Sequence, residues 1–271
     1  MKHIVTAAAL GLLAAAAAST SQAQDWAGAY IGAQAGGVSQ RDRGGQSVNF
    51  DTNLDGAFSD RVNNGAGANA FGPGFCNGAT YSSTPGSCAD KDDTEFEFGG
   101  RAGYDWQFGG FVVGVVGEAT RMRVQDSVTA FSTTPASYTM TRELKGVLAA
   151  RARAGYALGR TLVYATGGYA WADVDHGFST TNTANTFTKT ENDDRVDGWQ
   201  VGGGIEHKLT DNVSMGLEYL QTNLQDDGFR VRASGPAGGP FTTANSSGAD
   251  FARSEDDLKV HSVRLTAAYR F

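Results

Sequence analysis

After residue 24 the sequence contains no apolar run that approaches the roughly 20 residues of a membrane-crossing helix, which excludes a bundle of such helices. Cysteine is nearly absent. The only two, Cys76 and Cys88, have C-x11-C spacing and no histidine nearby, which excludes a C-x-x-C redox motif and a zinc site. Basic charge is in the minority: 22 Lys and Arg against 29 Asp and Glu leave a formal charge of −7, a poor balance for holding nucleic acid. Proline is scarce, at 5 of 271 residues, whereas glycine reaches 37, and the length admits one large domain or two small ones.

The N-terminus reads as an export signal. Met1, Lys2 and His3 give a short basic region, Ile4 to Ala18 an apolar one, and Ser21 with Ala23 a small-x-small cleavage site. Residues 1–23 are therefore expected to be removed, leaving 24–271 as the mature chain. The apolar run is short for an anchor, and no stop-transfer pattern follows it. Loss of Lys2 takes the charge from −7 to −8. Export puts Cys76 and Cys88 in an oxidising compartment, where they are expected to form a loop disulfide. Closing so short a loop adds about 3 kcal/mol at most.

What the chain does have is alternation. From Thr94 to Phe108 the even positions are mostly apolar or aromatic (Phe96, Phe98, Tyr104, Trp106, Phe108), while the odd ones include Glu95, Glu97, Arg101, Asp105 and Gln107. A period of two means a strand. Seven further segments follow the rule: 26–37, 111–124, 140–156, 161–174, 196–209, 213–223 and 258–271. In 161–174 both parities are apolar, and Val163, Ala165, Tyr169 and Trp171 are assigned to the outer face.

The eight segments are joined alternately by long and short connections, the long ones at about 38–93, 125–139, 175–195 and 225–257. This order is that of an all-β, eight-stranded antiparallel transmembrane up-and-down β-barrel. Trp26, Trp106, Phe108, Phe111, Tyr156, Tyr269 and Phe271 fall at the short-turn end, and Trp171 and Trp199 at the other, as two aromatic girdles would. The polar parity carries Arg101, Lys145, Arg151, Arg153, Lys208, Arg264 and Arg270. Each basic side chain facing mid-bilayer lipid would cost about 2–4 kcal/mol. Several such costs rival a domain's stability of roughly 5–15 kcal/mol, so this parity is expected to point inward. Mid-strand lumen charges and two girdles also argue against a soluble lipocalin-like barrel.

The segments DWAGAYIGAQAGG, RARAGYALGRTLVYATGGYAWADV, GWQVGGGIEHKL, VSMGLEYLQTNL and HSVRLTAAYRF resemble the Gram-negative outer-membrane β-barrel family. That family includes small immunogenic and haemin-binding surface proteins of alphaproteobacteria and is related in fold to opacity adhesins and the OmpA transmembrane domain. The resemblance implies an outer-membrane location, surroundings of lipid and lipopolysaccharide, and insertion by the barrel-assembly machinery, which reads a C-terminal aromatic strand, here ending in Tyr269 and Phe271. No peptidoglycan-binding segment follows Phe271, so a tether to the cell wall is not expected.

The charges near mid-depth, Arg101, Glu118, Arg151, Glu218 and Arg264, with Arg153, Glu206 and Asp105 below and Glu95 and Glu97 above, form the main constellation. A small barrel fills its own interior, so they are expected to plug it with salt bridges; the alternative is the lining of a narrow pore. Asp51, Asn53, Asp55 and Gly56 match the first half of an EF-hand loop, but position twelve is Val62, and no metal or other cofactor is expected. The loops are acidic, with 7 acids and 4 bases in the first, which would suit divalent bridging to lipopolysaccharide. Catalysis is not expected: His261 and Ser262, the one suggestive neighbour pair, point to opposite faces of a strand. The expected role is structural, in a monomeric barrel that supports the envelope and presents its loops. A narrow porin, and an adhesin or haemin-type receptor taking a host or small-molecule ligand at its loops, are the alternatives.

Overall fold

The computed structural model describes residues 25–40, 45–89, 94–192 and 194–271; the expected signal, residues 1–23, lies outside them. The alternating segments are strands: β1 (Gly28–Gln40), β4 (Glu95–Phe108), β5 (Phe111–Ser132), β6 (Ala136–Leu158), β7 (Thr161–Thr180), β9 (Arg195–Lys208), β10 (Val213–Gln225) and β13 (Asp257–Arg270). Each pairs antiparallel with its neighbours, and β1 pairs with both β4 and β13, so the eight close into a ring. Closure leaves the ring no free edge. Short turns need a backbone that doubles back in two residues, and Gly109 (φ 62°) and Gly159 (φ 61°) supply the left-handed conformation at two of them.

Alternation sorts the side chains as expected. Val163, Val201, Ile205, Leu217, Val263 and Leu265 stand exposed on the outer wall, with Trp106, Phe108, Phe111, Tyr156, Tyr269 and Phe271 at the short-turn end and Trp171 and Trp199 towards the other. Arg101, Arg151, Arg153, Lys208, Arg264 and Arg270 are buried in the lumen.

Four expectations are corrected. Trp26 is not in the outer girdle but 0% exposed, inside the short-turn mouth. Lys145, expected inward, faces out to Asp175, and its neighbour Leu144 is buried in its place. The cause is a bulge: both seams of β6 shift register between Leu144 and Gly146, and one extra residue reverses every side chain beyond it. Glu95 is exposed at the start of β4 rather than in the lumen. The connection expected at 125–139 is strand apart from the turn at Thr133–Pro135, because β5 and β6 continue past the ring as one long hairpin.

The long connections also carry strands of their own: β2 (Val48–Asp51), β3 (Gly74–Asn77), β8 (Thr186–Asn192), β11 (Phe229–Ser234) and β12 (Ala249–Arg253). Four of them form a second sheet in the order β2-β12-β11-β8, and β3 pairs with the protruding part of β5. Against this sheet lies an aromatic core in which Phe251 meets Phe50, Phe71, Tyr138, Phe187 and Phe241. This is a cap. Cys76 and Cys88 are disulfide-bonded beside it.

Candidate functional site

Seen from the short-turn end, the lumen is filled in layers. Trp26 lies lowest, its ring under Lys208 Nζ at 5.2 Å and the Arg270 guanidinium at 5.6 Å, and its indole N–H donates to the Gly159 carbonyl at 3.4 Å. Such cation–ring contacts are worth about 2 kcal/mol when desolvated.

Next comes a four-charge cluster. Arg153 Nε donates to Asp105 Oδ1 at 2.7 Å and Nη1 to Glu206 Oε2 at 2.9 Å, while Arg270 Nη2 is 2.8 Å from Asp105 Oδ2. The Tyr30 ring lies 4.8 Å from the Arg153 guanidinium and 4.9 Å from that of Arg270. Ser214 Oγ donates to Glu206 Oε1 at 2.6 Å.

The mid-depth cluster follows. Arg101 stands opposite Glu118 across the β4–β5 seam, and Arg264 opposite Glu218 across the β10–β13 seam, so two cross-strand pairs come from different walls of the ring. In the lumen they merge. Glu218 Oε1 accepts from Arg101 at 2.6 Å, Arg264 Nη2 at 2.7 Å and Arg151 at 3.3 Å; Glu118 Oε2 accepts from Arg151 and Arg264 at 2.6 Å each. Tyr164 donates to the other Glu218 oxygen at 2.7 Å, and Gln34 Oε1 accepts from Arg101 Nε at 3.1 Å. Glu97, 4.0 Å from Arg264 and held by Ser262 at 3.0 Å, adds a third carboxyl to the three guanidiniums. Buried charges are tolerable only when paired and hydrogen-bonded in this way.

Above the charges the lining turns apolar: Val38, Val124, Leu144, Val174, Leu224 and Val260 belong to one buried cluster. A second polar layer separates it from the cap. Arg142 Nε donates to Asp126 at 2.9 Å, Arg253 Nη1 to the Met140 carbonyl at 3.0 Å, and His176 Nε2 lies 2.8 Å from Asp226 while its ring stacks on Phe229 at 4.8 Å. For Asp226, burial alone raises the pKa, but the His176 hydrogen bond and the Arg142 charge outweigh it and hold the carboxyl below its ordinary range.

Of the lumen residues named from the sequence, Arg101, Glu118, Arg151, Arg153, Glu206, Glu218 and Arg264 thus fall in one of two adjoining clusters, whereas Glu95 and Lys145 do not. The Asp51 carboxylate accepts the amides of Leu54 at 2.6 Å and Gly56 at 2.8 Å, and Val62 is buried in the cap core. Sequence reasoning missed Trp26 as a plug and the whole Arg142–Asp126–Asp226–His176–Arg253 layer. For the layer a signal existed: between Phe111 and Pro135 no proline breaks the alternation, so β5 had no reason to stop at Val124.

Residues 5–271 match the family described as outer membrane protein beta-barrel domain. The 31 kDa outer-membrane immunogenic protein of Brucella melitensis biotype 1 is 33% identical over 155 residues, which are 52% of this chain and 63% of that protein. Among solved structures, the outer membrane protein OprG of Pseudomonas aeruginosa has a TM-score of 0.45 at 12% identity, covering 90% of this chain and 97% of its own. The outer membrane protease OmpT of Escherichia coli gives 0.42 at 11%, with the same shares of 90% and 97%.

Proposed function

The chain belongs to the outer membrane protein beta-barrel domain family, and on that premise we propose that it is a closed, structural barrel of the outer membrane that holds a folded cap at the cell surface. One observation carries this reading: the lumen is occupied in succession by Trp26, two ion clusters, an apolar layer and a polar layer beneath the cap. An ion crossing it would have to leave its water at the Leu144–Val174–Leu224 level, where the clustered side chains are apolar. The lumen carboxylates and guanidiniums serve one another, which supports a scaffold rather than a catalytic centre.

Orientation follows the habit of such barrels, with short turns in the periplasm and the cap outside. The monomer is the functional unit, and Tyr269 and Phe271, exposed on the outer wall with rings 5.3 Å apart, are the residues the assembly machinery would read. The deciding experiment is planar-bilayer conductance of the refolded protein, with Arg101→Gln and Glu118→Gln alongside. Silence from all three folded proteins is expected. Steady ion-selective openings that change with either substitution would make the clusters a gate and the protein a narrow porin.

A second reading, surface binding through the cap, is supported by the order of the long connections. A four-stranded sheet with a packed core gives a ligand a preformed surface. Saturable quenching on titration with haemin, lost in a variant whose cap core is broken, would favour it over a purely structural role.

A further inference from the structure

At the tip of the β5–β6 hairpin the cap leaves a concavity of about 370 Å³, within the size range of small-molecule sites. Each connection on this side of the ring reaches it: Asn64 and Phe71 from the first, Thr133 and Thr134 from the hairpin turn, Thr183 and Asn185 from the segment between β7 and β8, and Phe241 from that between β11 and β12. Its floor is aromatic. Phe71, Tyr138 and Phe241, all in the cap core, lie against one another with ring centroids 5.3, 6.1 and 6.4 Å apart. The walls are tied together without a ligand: Asn182 donates to the Tyr138 hydroxyl at 2.8 Å, and the Thr133 amide donates to the Ala70 carbonyl at 2.7 Å. A preformed site gives up little ordering entropy on binding.

The lining is uncharged. In a chain with 22 basic and 29 acidic residues, no Asp, Glu, Lys, Arg or His is among the described residues around this concavity. A carboxylate, phosphate or ammonium group would leave its water there with no counter-charge to meet it. The rim offers neutral hydrogen bonding instead. Asn64 and Asn185 use their side-chain oxygens within the protein, on the Ala66 amide at 3.0 Å and on Asn182 Nδ2 at 3.0 Å, and their own NH2 groups donate to no described residue. The hydroxyls of Thr133, Thr134 and Thr183, all exposed, likewise donate to none. Hydroxyls and amides around an aromatic floor match a ring with hydroxyl groups along its edge and C–H groups on one face.

We propose that this concavity binds one uncharged pyranose unit of a glycan, its C–H face on the aromatic floor and its hydroxyls on Asn64, Asn185 and the three threonines. The inference rests on the reading of the cap as a binding surface and gives that surface a ligand class. The test is saturation-transfer NMR on the full refolded barrel in a zwitterionic, sugar-free detergent. The probes are the methyl glycosides of glucose, galactose, mannose and N-acetylglucosamine, with methyl glucuronoside as the charged counterpart and N-acetyl-leucine amide as an uncharged peptide.

Transfer to the ring C–H protons of at least one neutral glycoside is expected, with the glucuronoside about tenfold weaker and with a loss of about three- to tenfold in Thr134→Val and in Thr183→Val. Thr188→Val, at an exposed position of β8 outside the concavity, is expected to change nothing. Heat-modifiable gel mobility and resistance of the cap to protease verify that each variant is folded. Absence of transfer to every neutral glycoside, equal transfer to the glucuronoside, or losses that do not set Thr134 and Thr183 apart from Thr188 would overturn the site. Haemin quenching that persists in such a case would leave the cap a binding surface for another ligand, so the two failures are read separately. Transfer to the leucine amide in place of the sugars would overturn the glycan and leave a peptide pocket.

Discussion

At Glu218 one carboxylate oxygen accepts from three guanidinium groups and the other from a tyrosine. Glu218→Gln would leave Arg101, Arg151 and Arg264 around Glu118 and the more distant Glu97. Breaking a buried pair from one side costs about 3–5 kcal/mol, so the urea midpoint of the folded barrel in lipid is expected to fall accordingly. A loss below about 1 kcal/mol would mean that water reaches the cluster. Trp26→Ala removes a fully buried indole and two cation–ring contacts, with an expected cost of about 3–5 kcal/mol in the same assay. A smaller change would show the short-turn mouth to be loosely filled. Asp226 sets a pH dependence. Its folded pKa is lowered from 3.8, so its contribution to docking the cap is complete above about pH 4 and is lost as the pH falls through the depressed value. Cap proteolysis should therefore rise below pH 4 in the native protein and lose that added sensitivity in Asp226→Asn.

Among the elements, β6 shows where period-two reasoning holds and where it breaks. Arg151 and Arg153 follow the alternation into the lumen, but a single inserted residue at Lys145–Gly146 turns Lys145 out and Leu144 in. No local residue type demanded the bulge, and only register with β5 and β7 reveals it. The ring was legible because lipid outside and charge inside force a strict division of faces, and the seven lumen charges followed from that division. Which guanidinium meets which carboxylate was not, since partners such as Arg101 and Glu218 come from strands on different walls and depend on closure. The cap was illegible for a related reason: β2, β8, β11 and β12 are short, and none can bury an apolar face until the others arrive. The disulfide acts on the scale of its own segment. Reduction of Cys76–Cys88 should remove at most about 3 kcal/mol, read as faster cleavage within residues 74–89 at unchanged barrel mobility on gels. Simultaneous loss of the barrel's folded mobility would mean the staple reaches the ring.

The whole molecule is two cores stacked on one axis of strands, a ring filled with charge and a cap filled with aromatic rings, joined by the protruding β5–β6 hairpin. Phe251→Ala, at the centre of the cap core, is expected to cost about 3–5 kcal/mol there and to expose the cap to protease while the ring keeps its heat-modifiable mobility. Concerted loss of both would show that ring and cap unfold as one unit. The seam between β2 and β12 has a consequence in time. Its partners lie in the first and last long connections, so the cap cannot close until nearly the whole chain is in place. The ring waits on the same event, because β1 must find β13. Both closures thus fall at the end of insertion, and a chain stalled before its last hairpin would hold Phe50 and Phe71 uncovered and be a ready target for quality-control proteolysis.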